Sequence, residues 1–388
     1  MSISGPVICV VGARPNFMKM APILRAMAAH VPSLPVVLVH TGQHYDADMS
    51  DRLFQDLCLP RPDINLEVGS ASHAIQTAEV MRKFEPIVDA YRPSCVAVVG
   101  DVNSTLACSL VAVKKNVPVV HIEAGLRSYD RTMPEEINRV LTDQISDRLY
   151  TTERTADNNL AREGIPSNRV CFAGNVMIDS VVFGRAYARS AKDTLQANNV
   201  DPMVLNHPLG YGVVTLHRPS NVDDPETLHA LLVVLGEVAA NLPLVFALHP
   251  RTRSNICRFG LSDLIDSTRM VLLPPQGYLE MMGLLVGATV VLTDSGGLQE
   301  ETTALGVPCL TLRDNTERPI TVEQGTNVLV GRDRDTILGV TNEILAGRSK
   351  RGSVPEFWDG HAAERITADL YQWLKHRQAG TDLRSVIN

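Results

Sequence analysis

The chain has no long block of basic residues, no paired cysteine spacing and no apolar run long enough for a membrane. Lys and Arg number 36 against 43 Asp and Glu, a formal net charge of −7. That balance removes the electrostatic footprint of a nucleic-acid binder or of a protein that docks on anionic lipid. An anionic ligand would have to be caught locally, by a few placed groups. The longest uncharged apolar stretch, "MMGLLVGATVVLT", falls short of the roughly 20 residues that a spanning helix requires. The segment "MSISGPVICVVGARP" has no basic region ahead of its apolar run and no signal-like cleavage site, so a cytoplasmic location is expected. Seven cysteines, scattered from Cys9 to Cys309, lack the spacings of zinc or disulfide frameworks. Reduced thiols buried in apolar runs are expected instead. GxGxxG is missing after the first apolar run, as is a Walker loop, so neither phosphate-binding fingerprint applies.

What is present is a regular alternation. With 388 residues and 45% apolar content, the chain suits two domains with sizeable cores. The β-branched runs "VICVVG" (7 to 12), "PVVLVHTG" (35 to 42), "CVAVVGD" (95 to 101) and "VPVVHIEAG" (117 to 125) each precede a stretch suited to a helix. The second half repeats this with "YGVVTLH" (211 to 217), "LPLVFALHP" (242 to 250), "ATVVLTD" (288 to 294) and "VPCLTLRD" (307 to 314). Parallel strands joined by helical crossovers follow, giving an α/β fold of two Rossmann-like domains. "VAVVGDVNSTLACSLVAVKKNVPVVHIEAGLR" and "VVLTDSGGLQEETTALGVPCLTLRDNTERP" share one plan: strand, Asp-ending loop, helix, Val-Pro strand, charged loop. The polar segment from Ala186 to Pro208 loses strand character, which sets domains at 1–185 and 186–360, with a C-terminal helix in 361–388 that either half could claim.

In open parallel sheets, ligands bind beyond the carboxyl ends of the strands. The polar motifs sit there. "GARPNFMK" would hold Arg14 and Lys19 beside a helix N-terminus, a favourable place for phosphate, although an ordinary turn with solvated side chains reads the same. Asp101 in "VVGDVNST" and Glu123 in "HIEAGLR" end neighbouring strands, where a lone acid can simply cap the next helix. "MPEEINR" adds Glu135 and Arg139, at i and i+4 on one helix face. Three carboxylates and an arginine around one crevice fit proton transfers at a polar substrate. "VTLHRPSN" puts His217 and Arg218 at the ligand edge of the second half, and His249 in "LHPRT" has a weaker claim. In "LTDSGGLQEE", Ser295, Gly296 and Gly297 can present backbone N–H groups to a diphosphate. Glu301, set back by a turn, can accept hydrogen bonds from ribose hydroxyls, and the pairing of phosphate with ribose means a nucleotide. Arg318 in "NTERP" would hold Glu301 or the phosphate. The alternative is a Gly-Gly turn with exposed glutamates. "DAD" (46 to 48) and "DRD" (333 to 335) look like metal-holding acid pairs but fall in surface segments, so no metal and no cofactor is expected.

Taken in order, "GARPNFMK", "TGQH", "GDVNST", "HIEAGLR", "MPEEINR", "DSGGLQEE" and "TERP" resemble the motifs of the non-hydrolysing UDP-N-acetylglucosamine 2-epimerases, over about residues 7 to 375. The resemblance implies the B-type glycosyltransferase fold, with two domains facing a cleft, a last helix crossing back to the first domain, and a homodimer. It implies inversion at carbon 2 of a UDP-2-acetamido sugar, by UDP elimination to a glycal and re-addition. Asp101, Glu123 and Glu135 match the acid/base carboxylates. Arg14, Lys19, Arg139 and His217 match residues near sugar and diphosphate. Ser295, Gly296, Gly297 and Glu301 match the UDP site, with Arg318 in support. "HRPSNVD" departs from the Glu-Asn pair that often follows the shared "HR", which leaves the sugar open. Tyr45 and Asp46 replace the Arg-Gln of effector-controlled members, so conversion without an activator is expected. Rival readings are a hydrolysing 2-epimerase, a UDP-sugar-dependent glycosyltransferase and a non-catalytic nucleotide-sugar-binding regulator.

Overall fold

A computed structural model describes residues 3–42, 54–266 and 268–385, apart from the side chains of residues 14 and 380–385. Tyr45, Asp46 and the "DAD" segment lie outside the described residues, as does the second half of "TGQH". The chain divides into two compact units, residues 1–180 with 356–388, and residues 181–355.

The first unit carries seven parallel strands: β1 (Val7–Val11), β2 (Val36–His40), β3 (Ile64–Asn65), β4 (Cys95–Val99), β5 (Val119–Ala124), β6 (Arg148–Thr151) and β7 (Val170–Phe172), ordered β3-β2-β1-β4-β5-β6-β7. β1, β4 and β5 are buried along their whole length, which is why β1 and β4 read as unbroken apolar runs and β5 departs from one only at His121 and Glu123. The helix His73–Tyr91 shows how local sequence sets a boundary and a face. Ser72 accepts the Ile75 N–H at its start, Gln76, Val80, Phe84 and Val88 form its buried stripe, and Arg92 closes it in the left-handed region. The stripe packs with the helix Asn103–Lys114 and the inner residues of β1, β2 and β4 into one core.

The second unit repeats the plan with β8 (Gly212–Thr215), β9 (Leu244–Ala247), β10 (Met270–Leu273), β11 (Val290–Thr293), β12 (Cys309–Thr311) and β13 (Asn327–Leu329), ordered β10-β9-β8-β11-β12-β13. Both sheets therefore reverse direction between their first and fourth strands, at β1/β4 and at β8/β11. That reversal point is where open α/β sheets take ligands. The internal echo read from the sequence corresponds to β4-helix-β5 in one sheet and β11-helix-β12 in the other.

The helix Ala362–Ser385 belongs to the first unit. Asp179 accepts the Ala362 and Ala363 N–H groups at its start (3.2 and 2.8 Å), while Asp369 receives both Arg148 (2.6 and 2.8 Å) and the Tyr150 hydroxyl (2.8 Å). The cysteine expectation needs correction. Cys9, Cys95, Cys108 and Cys309 are buried free thiols, but Cys58 and Cys257 are exposed, because Cys58 follows a short helix and Cys257 lies on the outer face of Pro250–Arg258. No helix among the described residues is long and apolar enough to cross a membrane.

Candidate active site

In the first unit the chain leaves β1 into the helix Arg14–Ala29, and Asn16 fixes that turn. Its Oδ1 accepts the Gly12 and Ala13 N–H groups (3.3 and 2.9 Å), and its Nδ2 donates to the Val99 carbonyl at the end of β4 (2.9 Å). Arg14 opens the helix, with its side chain outside the described part. One turn on, Lys19 is buried, and its Nζ lies 2.7 Å from both oxygens of Glu123, also buried. Glu123 has φ of 69° at a register irregularity in β5. A non-glycine residue held in that region carries backbone strain, the kind that clusters at functional sites.

Asp101, two residues beyond β4, is held twice by the helix Pro134–Ile145: its carboxylate takes an ion pair from Arg139, and its carbonyl accepts from Asn138 (2.9 Å). Here the expected Glu135–Arg139 pair is corrected. Arg139 Nη1 donates to Glu136, at i,i+3 and 2.6 Å. Glu135 is half-buried and pairs with no cation among the described residues. The reason is the loop before the helix. Glu136 also accepts the Ser128 and Tyr129 N–H groups (3.0 and 2.9 Å), so it turns inward with Arg139 while Glu135 is left on the rim. Burial opposes ionisation of Glu136, yet those N–H donors and Arg139 outweigh it and hold the carboxyl below its ordinary range.

In the second unit His217 follows β8, and its Nδ1 is 2.9 Å from Asp294 Oδ1. Asp294, at the end of β11, is fully buried and also accepts the His217 and Arg218 N–H groups and Asn221 Nδ2 (2.9 to 3.2 Å). Burial works against its charge, but His217 and the two N–H donors outweigh it and keep Asp294 ionised below the usual carboxylate range. His217 thus has one nitrogen committed and the ring oriented, with about a third of its side chain exposed (36%). The His249 ring lies 5.7 Å from it, and His249 Nδ1 accepts the Arg251 N–H (3.2 Å).

The helix Gly296–Leu305 begins directly after this aspartate, capped by Ser295, whose Oγ accepts the Leu298 N–H (3.5 Å). Its first N–H groups have no intrahelical acceptor and point with the positive end of the helix dipole, as an anion cradle requires. A Cβ at Gly296 would come within 2.5 Å of Glu317 Oε1, so a larger residue there would have to push that carboxylate off its arginines. Glu317 lies 2.9 Å from Arg313 and 3.5 Å from Arg218. Its burial is overcome by Arg313, Arg318 and Arg218, which draw the carboxyl down to about 2. Glu301 is buried on the same helix, and Arg318 Nε faces the neighbouring Glu300 Oε1 at 2.9 Å.

The structure gathers Lys19, Asp101, Glu123 and Arg139 at the reversal point of one sheet, and His217, Ser295, Gly296 and Gly297 at that of the other. The residues that sequence reasoning missed are mostly partners: Asn16, Glu136, Asn138, Asp294, Glu300 and Glu317. All lay inside or beside quoted motifs, and only Asp294, closing an apolar run, carried its own signal.

A family model described as UDP-N-acetylglucosamine 2-epimerase matches residues 26–371. The UDP-N-acetylglucosamine 2-epimerase of Methanocaldococcus jannaschii is 40% identical over 364 residues, covering 93% of this chain and 97% of that protein. The UDP-2,3-diacetamido-2,3-dideoxy-D-glucuronate 2-epimerase of Pseudomonas aeruginosa is also 40% identical, over 94% of this chain and 99% of its own. The crystal structure of the Methanocaldococcus jannaschii UDP-GlcNAc 2-epimerase in complex with UDP-GlcNAc and UDP superimposes with a TM-score of 0.81 at 38% identity, covering 95% and 99% of the two chains. With the match spanning both units and every quoted motif from "GDVNST" to "TERP", the chain belongs to the UDP-N-acetylglucosamine 2-epimerase family.

Proposed function

We propose that the protein inverts carbon 2 of a UDP-2-acetamido sugar, interconverting UDP-N-acetylglucosamine and UDP-N-acetylmannosamine without net hydrolysis. The observation that carries this reading is the pair of strand-end carboxylates, Asp101 on Arg139 and Glu123 on Lys19, each held by its own cation. Two separately supported carboxylates suit an inversion, in which a proton leaves one face of a carbon and returns to the other. A glycosyl transfer has no need of the second.

In the proposed sequence a carboxylate takes the proton from carbon 2. Its electron pair forms the carbon 1–carbon 2 double bond as the carbon 1–oxygen bond breaks, and UDP leaves with that bonding pair. Glu135, on the rim, is the third candidate acid. The Ser295–Gly297 helix start takes the diphosphate, His217 and Arg14 stabilise the charge that develops on it, and Glu301 accepts the ribose hydroxyls, with Arg318 in support. Re-addition of UDP after protonation from the opposite face completes the epimerisation. Water must be kept from the anomeric carbon meanwhile, or hydrolysis results. The same proposal includes a homodimer, a cytoplasmic location and independence from an activating second nucleotide sugar.

The test is NMR of purified protein with UDP-N-acetylglucosamine in heavy water, with the 2,3-diacetamido glucuronate nucleotide as a parallel substrate. Deuterium at carbon 2 of the epimerised product, with traces of glycal and UDP on long incubation, is expected. Epimer formed with its original proton wholly retained refutes elimination, free sugar would support the hydrolysing alternative, and absence of turnover on either substrate refutes the reading.

A further inference from the structure

His121 has no place in the mechanism above, yet it sits behind both strand-end carboxylates. It lies on β5 two residues before Glu123, with none of its surface exposed. Its Nε2 is 2.8 Å from the Gly100 carbonyl, and its Nδ1 is 2.6 Å from Asp143 Oδ1. Gly100 immediately precedes Asp101, and its N–H is bonded to the Ile122 carbonyl (3.1 Å). The turn that carries Asp101 is thus pinned to β5 on both sides of one residue.

Asp143 does more than receive the ring. Its Oδ2 accepts the Gly125 N–H (3.0 Å) and meets Arg127 Nη2 (2.7 Å), and Arg127 is tied in turn to Glu163 (2.6 and 2.7 Å). Gly125 has φ of 80°, and a Cβ there would come within 2.6 Å of the Ala156 carbonyl. Asp143 therefore holds the chain at residues 121 and 125, on either side of the irregularity in β5 at which Glu123 has φ of 69° and its carboxylate meets Lys19. Burial opposes charge on Asp143, but His121 and Arg127 outweigh it and hold the carboxyl below its ordinary range. A carboxylate and a peptide carbonyl can only accept, so both ring nitrogens of His121 face acceptors.

We propose that His121, donating from both ring nitrogens to Gly100 and Asp143, is a positioning residue that fixes the separation of Asp101 from Glu123. The inference rests on the acid/base reading of those two carboxylates. It adds that their relative placement is set by one buried imidazole ring that never touches substrate. A misplacement of about 1 Å in such a pair can cost on the order of 10²-fold in rate.

Three measurements test it in the full chain. In protein labelled with ¹⁵N-histidine, one ring should show two slowly exchanging N–H protons at neutral pH. A single protonated nitrogen on His121 overturns the proposal whatever the variants do. His121→Phe keeps a ring and removes both donors, whereas His121→Gln keeps one. With UDP-N-acetylglucosamine, His121→Phe should lose roughly 10²-fold in kcat, with KM and UDP affinity within about twofold of the parent, and the Gln variant should fall between. The proton-transfer partition should also change: more deuterium should wash into unreacted substrate per epimerisation, because one face is served worse than the other. If kcat falls only as the folded fraction falls, with that partition unchanged, His121 is merely structural and the proposal fails. Should His121→Phe not fold, the Gln variant and the wild-type spectrum decide alone. Absence of epimerisation by the wild-type protein would instead overturn the proposed function, while the two-proton signature would still report on the clamp.

Discussion

The buried Lys19–Glu123 pair offers a quantitative test of how the first unit supports its chemistry. Both side chains are nearly inaccessible (7% and 2% exposed) and the charges are 2.7 Å apart. At an effective dielectric of about 20, that separation corresponds to a gross attraction of about 6 kcal/mol. Much of this offsets the desolvation of both ions, so the informative quantity is the cost of removing one partner and leaving the other buried, about 3–5 kcal/mol. Lys19→Met keeps the length of the side chain inside the helix Arg14–Ala29 and removes only its charge. It should lower unfolding free energy by an amount in that range, and Glu123→Gln should do so too, because either change strands its partner. The double variant strands neither. Its cost should fall short of the sum of the singles by about 2 kcal/mol or more, the size expected for residues in direct contact. Urea unfolding followed by circular dichroism, with unchanged m-values, gives all three differences. Additivity within about 0.5 kcal/mol would mean that the pair contributes no coupling. The account of Glu123 as a carboxylate held in place by Lys19 would then be wrong.

Three further outcomes are expected. Asp101→Asn and Glu135→Gln should preserve folding and UDP affinity while losing on the order of 10² to 10⁴ in turnover, the range for a positioned acid or base; near-normal rates in both would remove these two carboxylates from the acid/base role. Glu301→Gln should weaken UDP binding by roughly 1.5–3 kcal/mol with a smaller effect on turnover, and calorimetry showing unchanged affinity would remove it from the ribose role. Burial pushes Asp179 up to about 6 from 3.8, despite the Ala362 and Ala363 N–H donors. A carboxyl raised in the folded state is bound to its proton more tightly there than in the unfolded chain. Stability from this group is therefore complete below about pH 4 and is lost as pH rises through 6, to the extent of about 3 kcal/mol. Asp179→Asn should flatten that part of the stability–pH curve, and an unchanged curve would contradict the assignment.

Much of the fold was legible because its central strands are buried on both faces. β1, β4 and β9 are unbroken apolar runs, and β2, β5, β8, β11 and β12 are apolar runs interrupted or closed by one or two polar residues, a short β-branched pattern that reads as strand. The same argument put the ligand edge at the carboxyl ends, and hence pointed to Asp101, Glu123, His217 and the Ser295–Gly297 loop. The strands that sequence did not disclose are short or lie toward the edges: β3 has two residues, β7 and β13 three each, β6 begins on Arg148, and β10 is an edge strand with Leu272 exposed. Too few residues repeat there for any period to register.

The sequence by itself determined the two α/β halves, their shared plan and the chemical character of each strand end, since these follow from local hydrophobicity and backbone preference. Tertiary structure decided the partnerships. Whether Arg139 meets Glu135 or Glu136 depends on which residue the Ser128–Tyr129 backbone draws inward, and both spacings are permitted on a helix. That Asp294 orients His217, that Lys19 faces Glu123 from 104 positions away, and that His121 reaches Gly100 are pairings between separate strands and helices. Such contacts are fixed by sheet order and register, which bring distant residues to one edge, and no local pattern encodes them.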